Sequence, residues 1–100
     1  MPTGFVGILS AELHFPEAHS LKEKRMHVRS AKAHLQNRFA AAVAEVDHHD
    51  VWQRTRLTLS VVTRELGEAE RLLADAKRYL ASHEWELGAC EQRIVRLEDE

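Results

Sequence analysis

Between Phe5 and Phe15 the chain alternates, with Gly7, Leu9, Ala11, Leu13 and Phe15 on one face and Val6, Ile8, Ser10, Glu12 and His14 on the other. A period of two marks a half-buried strand. Pro16 ends it, having no amide hydrogen to give to a ladder. Ser20, followed three positions later by Glu23, reads as a capping box: the serine oxygen accepts the Glu23 amide, and the glutamate reaches back to the Ser20 amide. The helix so opened carries Leu21, Val28, Leu35 and Phe39 in one arc beside Ala31, and is predicted to run to about Phe39.

Ala41 to Asp47 is small and β-branched, HHDVWQ makes a polar corner, and Arg56 to Thr63 alternates Leu57, Leu59 and Val61 against Thr58, Ser60 and Val62. These two read as a hairpin. From about Glu65 to Ser82 the apolar positions Leu66, Ala69, Leu72, Leu73, Ala76, Tyr79 and Leu80 recur at helical spacing. Trp85 to Leu97 alternates in part, and Gly88 with its charged neighbours suggests a bulged or edge strand. The order β-α-β-β-α-β predicts an α+β, ferredoxin-like domain over residues 1–100: a four-stranded antiparallel sheet with two helices on one face.

At 100 residues the chain suits one core and is too short for two. No apolar run approaches the roughly 20 residues of a bilayer span, and the N-terminus lacks the basic start of a signal peptide, so a cytoplasmic protein with no membrane association is expected. Cys90 is the single cysteine, which excludes an internal disulfide and a cysteine-rich zinc site.

Charge is unevenly distributed behind a formal net of −2. Residues 22–38 hold six basic side chains against Glu23 alone, while residues 84–100 hold six acids against Arg93 and Arg96. Lys22, Arg25 and Arg29 share one helical stripe with Lys32 at its edge, and Lys22, Lys24 and Arg25 crowd the positive end of the helix dipole, where acids would be more stabilising. Such a stripe can track phosphates, with Lys24, Arg54 and Arg56 as further candidate cations. Its bland alternative is a solvated helix face.

DHHD, Asp47 to Asp50, offers imidazole and carboxylate ligands, but consecutive strand side chains diverge, so a hydrogen-bonded corner is the better reading and no metal is assigned. Trp52 beside it suits stacking on a base or packing within its own domain. Glu12, His14 and Glu45 are expected on the uncovered sheet face, where paired carboxylates with a histidine suit acid–base chemistry and a solvated or dimer-facing sheet is the bland alternative; a small metal-dependent enzyme using Glu12, His14 and Asp47 is a third functional reading. The outer strand positions carry no aromatic platform, which argues against sequence-specific single-strand readout. No nucleophile motif or phosphate-binding glycine loop occurs, and neither a cofactor nor a small-molecule substrate is implied.

The segments ELHFPEAHSLKEKR, NRF, VAEVDHHDVWQR and SVVT resemble, in order across almost the whole chain, the YlxP-like bacterial family of unknown function. That resemblance implies a small ferredoxin-like protein, often encoded near genes for translation initiation and ribosome maturation. The expectation is therefore a non-enzymatic accessory factor working around RNA or the ribosome. Self-association, through the free sheet face or through the second or fourth strand at a sheet edge, is the rival reading. An uncovered sheet face carrying Val6, Ile8, Ser10, Val43, Thr58, Ser60 and Val62 is too apolar to be indifferent to water, so a homodimer is expected.

Overall fold

The computed structural model describes residues 2–81 and 85–98. The chain runs β1 (Pro2–His14), α1 (Leu21–Phe39), β2 (Ala42–Asp47), β3 (Arg54–Thr63), α2 (Leu66–Ala81) and β4 (Glu86–Glu98). One four-stranded sheet has the order β2-β3-β1-β4, with every pairing antiparallel. This is the ferredoxin-like α+β arrangement anticipated above. Ser82, the expected end of α2, lies outside the described residues. β1 and β4 are each 13 residues long; at about 3.3 Å per residue they account for the long axis of a body measuring 51 × 22 × 22 Å.

Alternation in β1 decides which face is buried. Leu9, Ala11 and Leu13 are sealed beneath the helices with Leu57, Leu59 and Val61 of β3, while Val6, Ile8, Ser10, Glu12 and His14 face the open side. From α1 the core receives Val28, Ala31, Leu35 and Phe39, and from α2 Ala69, Leu73, Ala76 and Leu80. Gly7 is where α2 approaches the sheet most closely: a Cβ there would stand 3.1 Å from the Leu73 side chain and 3.2 Å from Val61, both fixed in the core. Aromatic rings close the helical layer, with His34 stacked on Tyr79 at 3.7 Å and Phe15 stacked on His27 at 5.4 Å. Trp85 meets Phe15 and Tyr79 edge-on at 5.9 Å.

Three sequence expectations need correction. Leu66 does not join the core; at the first turn of α2 it is 47% exposed. Ser20 caps α1 as expected, accepting the Glu23 amide at 3.1 Å, but Glu23 reaches back to the His19 amide instead of that of Ser20. In β2 the parity is reversed. Val43 stands opposite Leu59 and packs against the core, and Glu45 stands opposite Leu57, so Ala42 and Ala44 occupy the open face. A run of alanines has no alternation from which parity could be read, so pairing with β3 sets it.

α1 ends on Ala40, whose φ of 52° and ψ of 38° place it in the left-handed region, with its amide donating to the Leu35 carbonyl. Alanine pays a Cβ penalty there that glycine avoids. Ala40→Gly is expected to stabilise the fold by about 1 kcal/mol, read as a rise of about 4–8 °C in thermal melting for a chain of this size.

Candidate functional site

The two signature segments meet at one end of the sheet, and Lys24 joins them. The buried positions of α1 are Lys24, Val28, Ala31, Leu35 and Phe39. Their spacing makes Lys24 the first member of the core stripe, and it is only 1% exposed. Its Nζ lies 2.7 Å from the Glu45 carboxylate and donates to the carbonyls of His48 at 2.6 Å and His49 at 3.2 Å. All three donor positions of the ammonium are thereby used. Glu45 also accepts from the hydroxyl of Thr55, which is itself fully buried. Lys24 therefore leaves the group of cations available to a phosphate. The signal that could have found it is its place four residues before Val28, on the same arc.

Gln53 completes the join. Its backbone carbonyl accepts from the Phe15 amide at 2.8 Å, and its side-chain amide donates to the carbonyls of Pro16 and Ala18 at 3.4 and 3.3 Å. The segment 48–53 is thus laced to the β1–α1 turn by side chain–backbone bonds. His48 takes a left-handed backbone, φ 63°, with Asp47 Oδ1 accepting its amide at 2.8 Å. That turn brings the imidazole back over the open face, where Nε2 lies 3.2 Å from Glu12 Oε1.

Glu12 is the hub of a polar network on this face. Besides His48 it has Arg56 at 3.7 Å and Arg54 at 3.9 Å. Arg56 also donates to Ser10 and to Glu91, each at 2.9 Å, and Thr58 donates to Ser10 at 2.9 Å. The histidine that meets Glu12 is consequently His48, and the expected grouping of Glu12 with His14 and Glu45 does not form. Glu45 lies on the helix side. Asp47 approaches His48 Nδ1 only to 3.8 Å. Among the described residues no three His, Cys, Asp or Glu side chains gather at distances that would hold a metal.

With Lys24 buried, the other six candidate cations divide over two surfaces. Lys22, Arg25 and Arg29 are exposed on α1 with Lys32 half-buried beside them, and none forms an ion pair among the described residues. Val28, Ala33 and Gln36 complete a shallow groove with three of them, Arg25, Arg29 and Lys32. Arg54 and Arg56 stand on the opposite side of the sheet, engaged with acids. Trp52, 52% exposed beside Val51, does not pack into the core. The residues expected at a dimer interface also divide: Val6, Ile8, Ser10, Thr58, Ser60 and Val62 share the open face, and Val43 does not.

Fold and geometry define a class: a small ferredoxin-like α+β protein with, on one side, a helix stripe of cations that have no ion pair among the described residues and, on the other, an ion-paired sheet face. The chain belongs to the family described as Protein of unknown function (DUF503), which it matches over residues 6–93. It is also similar to the "Uncharacterized protein YlxP" of Bacillus subtilis (strain 168), at 29% identity over 77 residues, covering 77% of this chain and 84% of that relative. The resemblance carried by the signature segments is thus a family membership.

Two outcomes follow from the Lys24 contacts. Lys24→Ala strands Glu45 and two carbonyls, and should cost about 3 kcal/mol or more, which thermal melting would record as a drop of more than about 12 °C. Burial raises the Glu45 pKa, but hydrogen bonds from Lys24 and Thr55 and the charges of Lys24 and His49 outweigh it and hold the carboxyl below its ordinary value of 4.5. The unfolded chain therefore takes up this proton first as pH falls. The Glu45 contribution is complete above pH 4.5 and is lost as pH drops through the lower folded value. Chemical denaturation across that range should show the stability gap between wild type and Glu45→Gln narrowing toward acid.

Proposed function

We propose that the protein is a non-enzymatic, cytoplasmic accessory factor that associates with RNA or the ribosome through the exposed face of α1. The observation that carries this reading is the contrast between two sets of cations. Lys24, Arg54, Arg56, Arg78 and Arg96 each have an acid within 4 Å. Among the described residues Lys22, Arg25, Arg29 and Lys32 have none; Arg38, Arg64, Arg71, Lys77 and Arg93 have none either, but the first four are gathered in one stripe of α1. Unpaired cations in a row keep counterions that a phosphate backbone displaces, and the released ions drive binding. A groove between Arg25 and Lys32 suits a backbone running along the helix, and the lack of aromatics on the open face favours phosphate over base recognition. No described helix is long and apolar enough to cross a membrane.

A second reading, a homodimeric interaction module, is favoured by one observation on the other side of the molecule. Val62 is 76% and Val95 44% exposed, and both stand directly opposite Val6 on adjacent strands. Three valines in a row make an apolar band that water disfavours.

Reversing Lys22, Arg25 and Arg29 to glutamate is expected to abolish co-sedimentation with ribosomes or total RNA at low salt, with melting temperature unchanged. For the wild type, log affinity should fall with log salt at a slope of about −2 if these three contacts form on a single strand. Co-sedimentation that survives the triple reversal would exclude α1 as the contact.

A further inference from the structure

The two edges of the sheet are not equally protected. β2 is short, 6 residues, with a register shift between Glu45 and Asp47 and α1 packed beside it. Short length and bulges are the usual means of blunting an edge. β4 is 13 residues long and contains no proline. It ends the sheet, so its outer amides and carbonyls pair with no other strand among the described residues. Its pairing with β1 is irregular beside Gly88 and again after Leu97, which leaves residues 90–97 in continuous register.

We propose that this edge pairs antiparallel with β4 of a second copy, about a two-fold axis through Gln92, to give one continuous eight-stranded sheet. The choice of occupant rests on charge. Glu91 and Arg93 flank the uncharged Gln92 and lie on the open face opposite Ser10 and Ile8: Glu91 is 84% exposed with Oε1 accepting from Arg56 across β1, which leaves its second carboxylate oxygen for a partner, and Arg93 has no ion pair among the described residues. Residues directly opposite in an antiparallel pair share a face. An axis through Gln92 sets Glu91 of each copy against Arg93 of the other, and Cys90 against Ile94 on the helix side. Moving the axis one residue in either direction sets Arg93 against Arg93 or Glu91 against Glu91, which like-charge repulsion disfavours. Charges placed only to repel another edge would be of one sign; these are self-complementary in a single register, as a two-fold contact requires.

This inference is independent of the RNA reading. It shares the homodimer with the second reading but assigns it to a different surface. Sedimentation equilibrium at micromolar concentration is expected to return twice the chain mass. Glu91→Arg and Arg93→Glu should each raise the dimer dissociation constant about tenfold or more, and the double exchange E91R/R93E should restore it. Gln92→Cys in a Cys90→Ser background should cross-link to a covalent dimer under mild oxidation, since in this register residue 92 faces itself within disulfide reach. A monomeric wild type overturns the proposal. So does a dimer indifferent to both charge reversals and to cross-linking. If Ile8→Lys with Val62→Glu dissociates the dimer while the β4 variants leave it intact, the open face is the interface and the edge proposal falls alone.

Discussion

A single ammonium group deep in the helical layer organises the end of the molecule where the signature segments meet. Removing a lysine from water costs several kcal/mol, and that cost is offset only when every donor is engaged and a counter-charge is adjacent. Lys24 satisfies both conditions with Glu45 and the carbonyls of His48 and His49. The requirement runs in both directions: the corner after β2 must turn its carbonyls inward to meet the lysine, and α1 must start where its second turn can reach them. The left-handed backbone of His48 follows from that inward turn. So does the position of its imidazole over Glu12. Arginine would not serve equally well, because a planar fork cannot fit a point between two carbonyls and one carboxylate as a compact ammonium can.

How legible all this was in the sequence depended on how much local patterning each element carries. β1 alternates without interruption for ten residues, and its faces were read correctly. β3 and α2 behave alike, because their leucines have a clear period. Four of the six residues of β2 are alanine or valine, so the face it presents is decided by its neighbour, and both Val43 and Glu45 fall on the side opposite to the one expected. Lys24 was missed for a different reason. Charge is normally evidence of exposure, and in a run reading Lys-Glu-Lys-Arg the one buried lysine is distinguishable only by its phase against Val28 and Ala31. The pairing of Glu12 with His48 was beyond sequence reading, since it depends on a turn conformation set by the lysine.

Recognising Lys24 as structural also changes what the basic segment means. Its charge had seemed to accumulate at the N-terminus of α1 against the helix dipole. With Lys24 neutralised by Glu45, the cations left on α1 are spread along its length, from Lys22 and Arg25 near the capped end through Arg29 and Lys32 to Arg38 in the last turn. Glu23 stays in the first turn, bonded to the His19 amide, where a carboxylate favours the dipole. The helix is therefore less frustrated than its composition suggests. What remains unexplained by stability is a row of separate cations with no ion pair among the described residues, and such a row costs little in water but contributes nothing to folding.

The open face shows the complementary situation. Toward one end, Ser10, Thr58, Arg56, Glu91, Glu12 and His48 satisfy one another, so a partner docking there would have to break hydrogen bonds it could at best replace. Toward the other end, Val6 is half-buried and Val62, Val95 and Leu97 are exposed, with no polar network of this kind around them among the described residues. Burying apolar surface yields about 25 cal/mol per Å2, whereas burying the polar half yields little once its desolvation is counted. Any partner on this face should therefore sit over the valines and leave the Glu12 network at the rim. Pairing of β4 edges would place two such apolar ends on one extended sheet, separated by the Glu91 and Arg93 contacts, and so give a partner two equivalent surfaces related by the same two-fold axis.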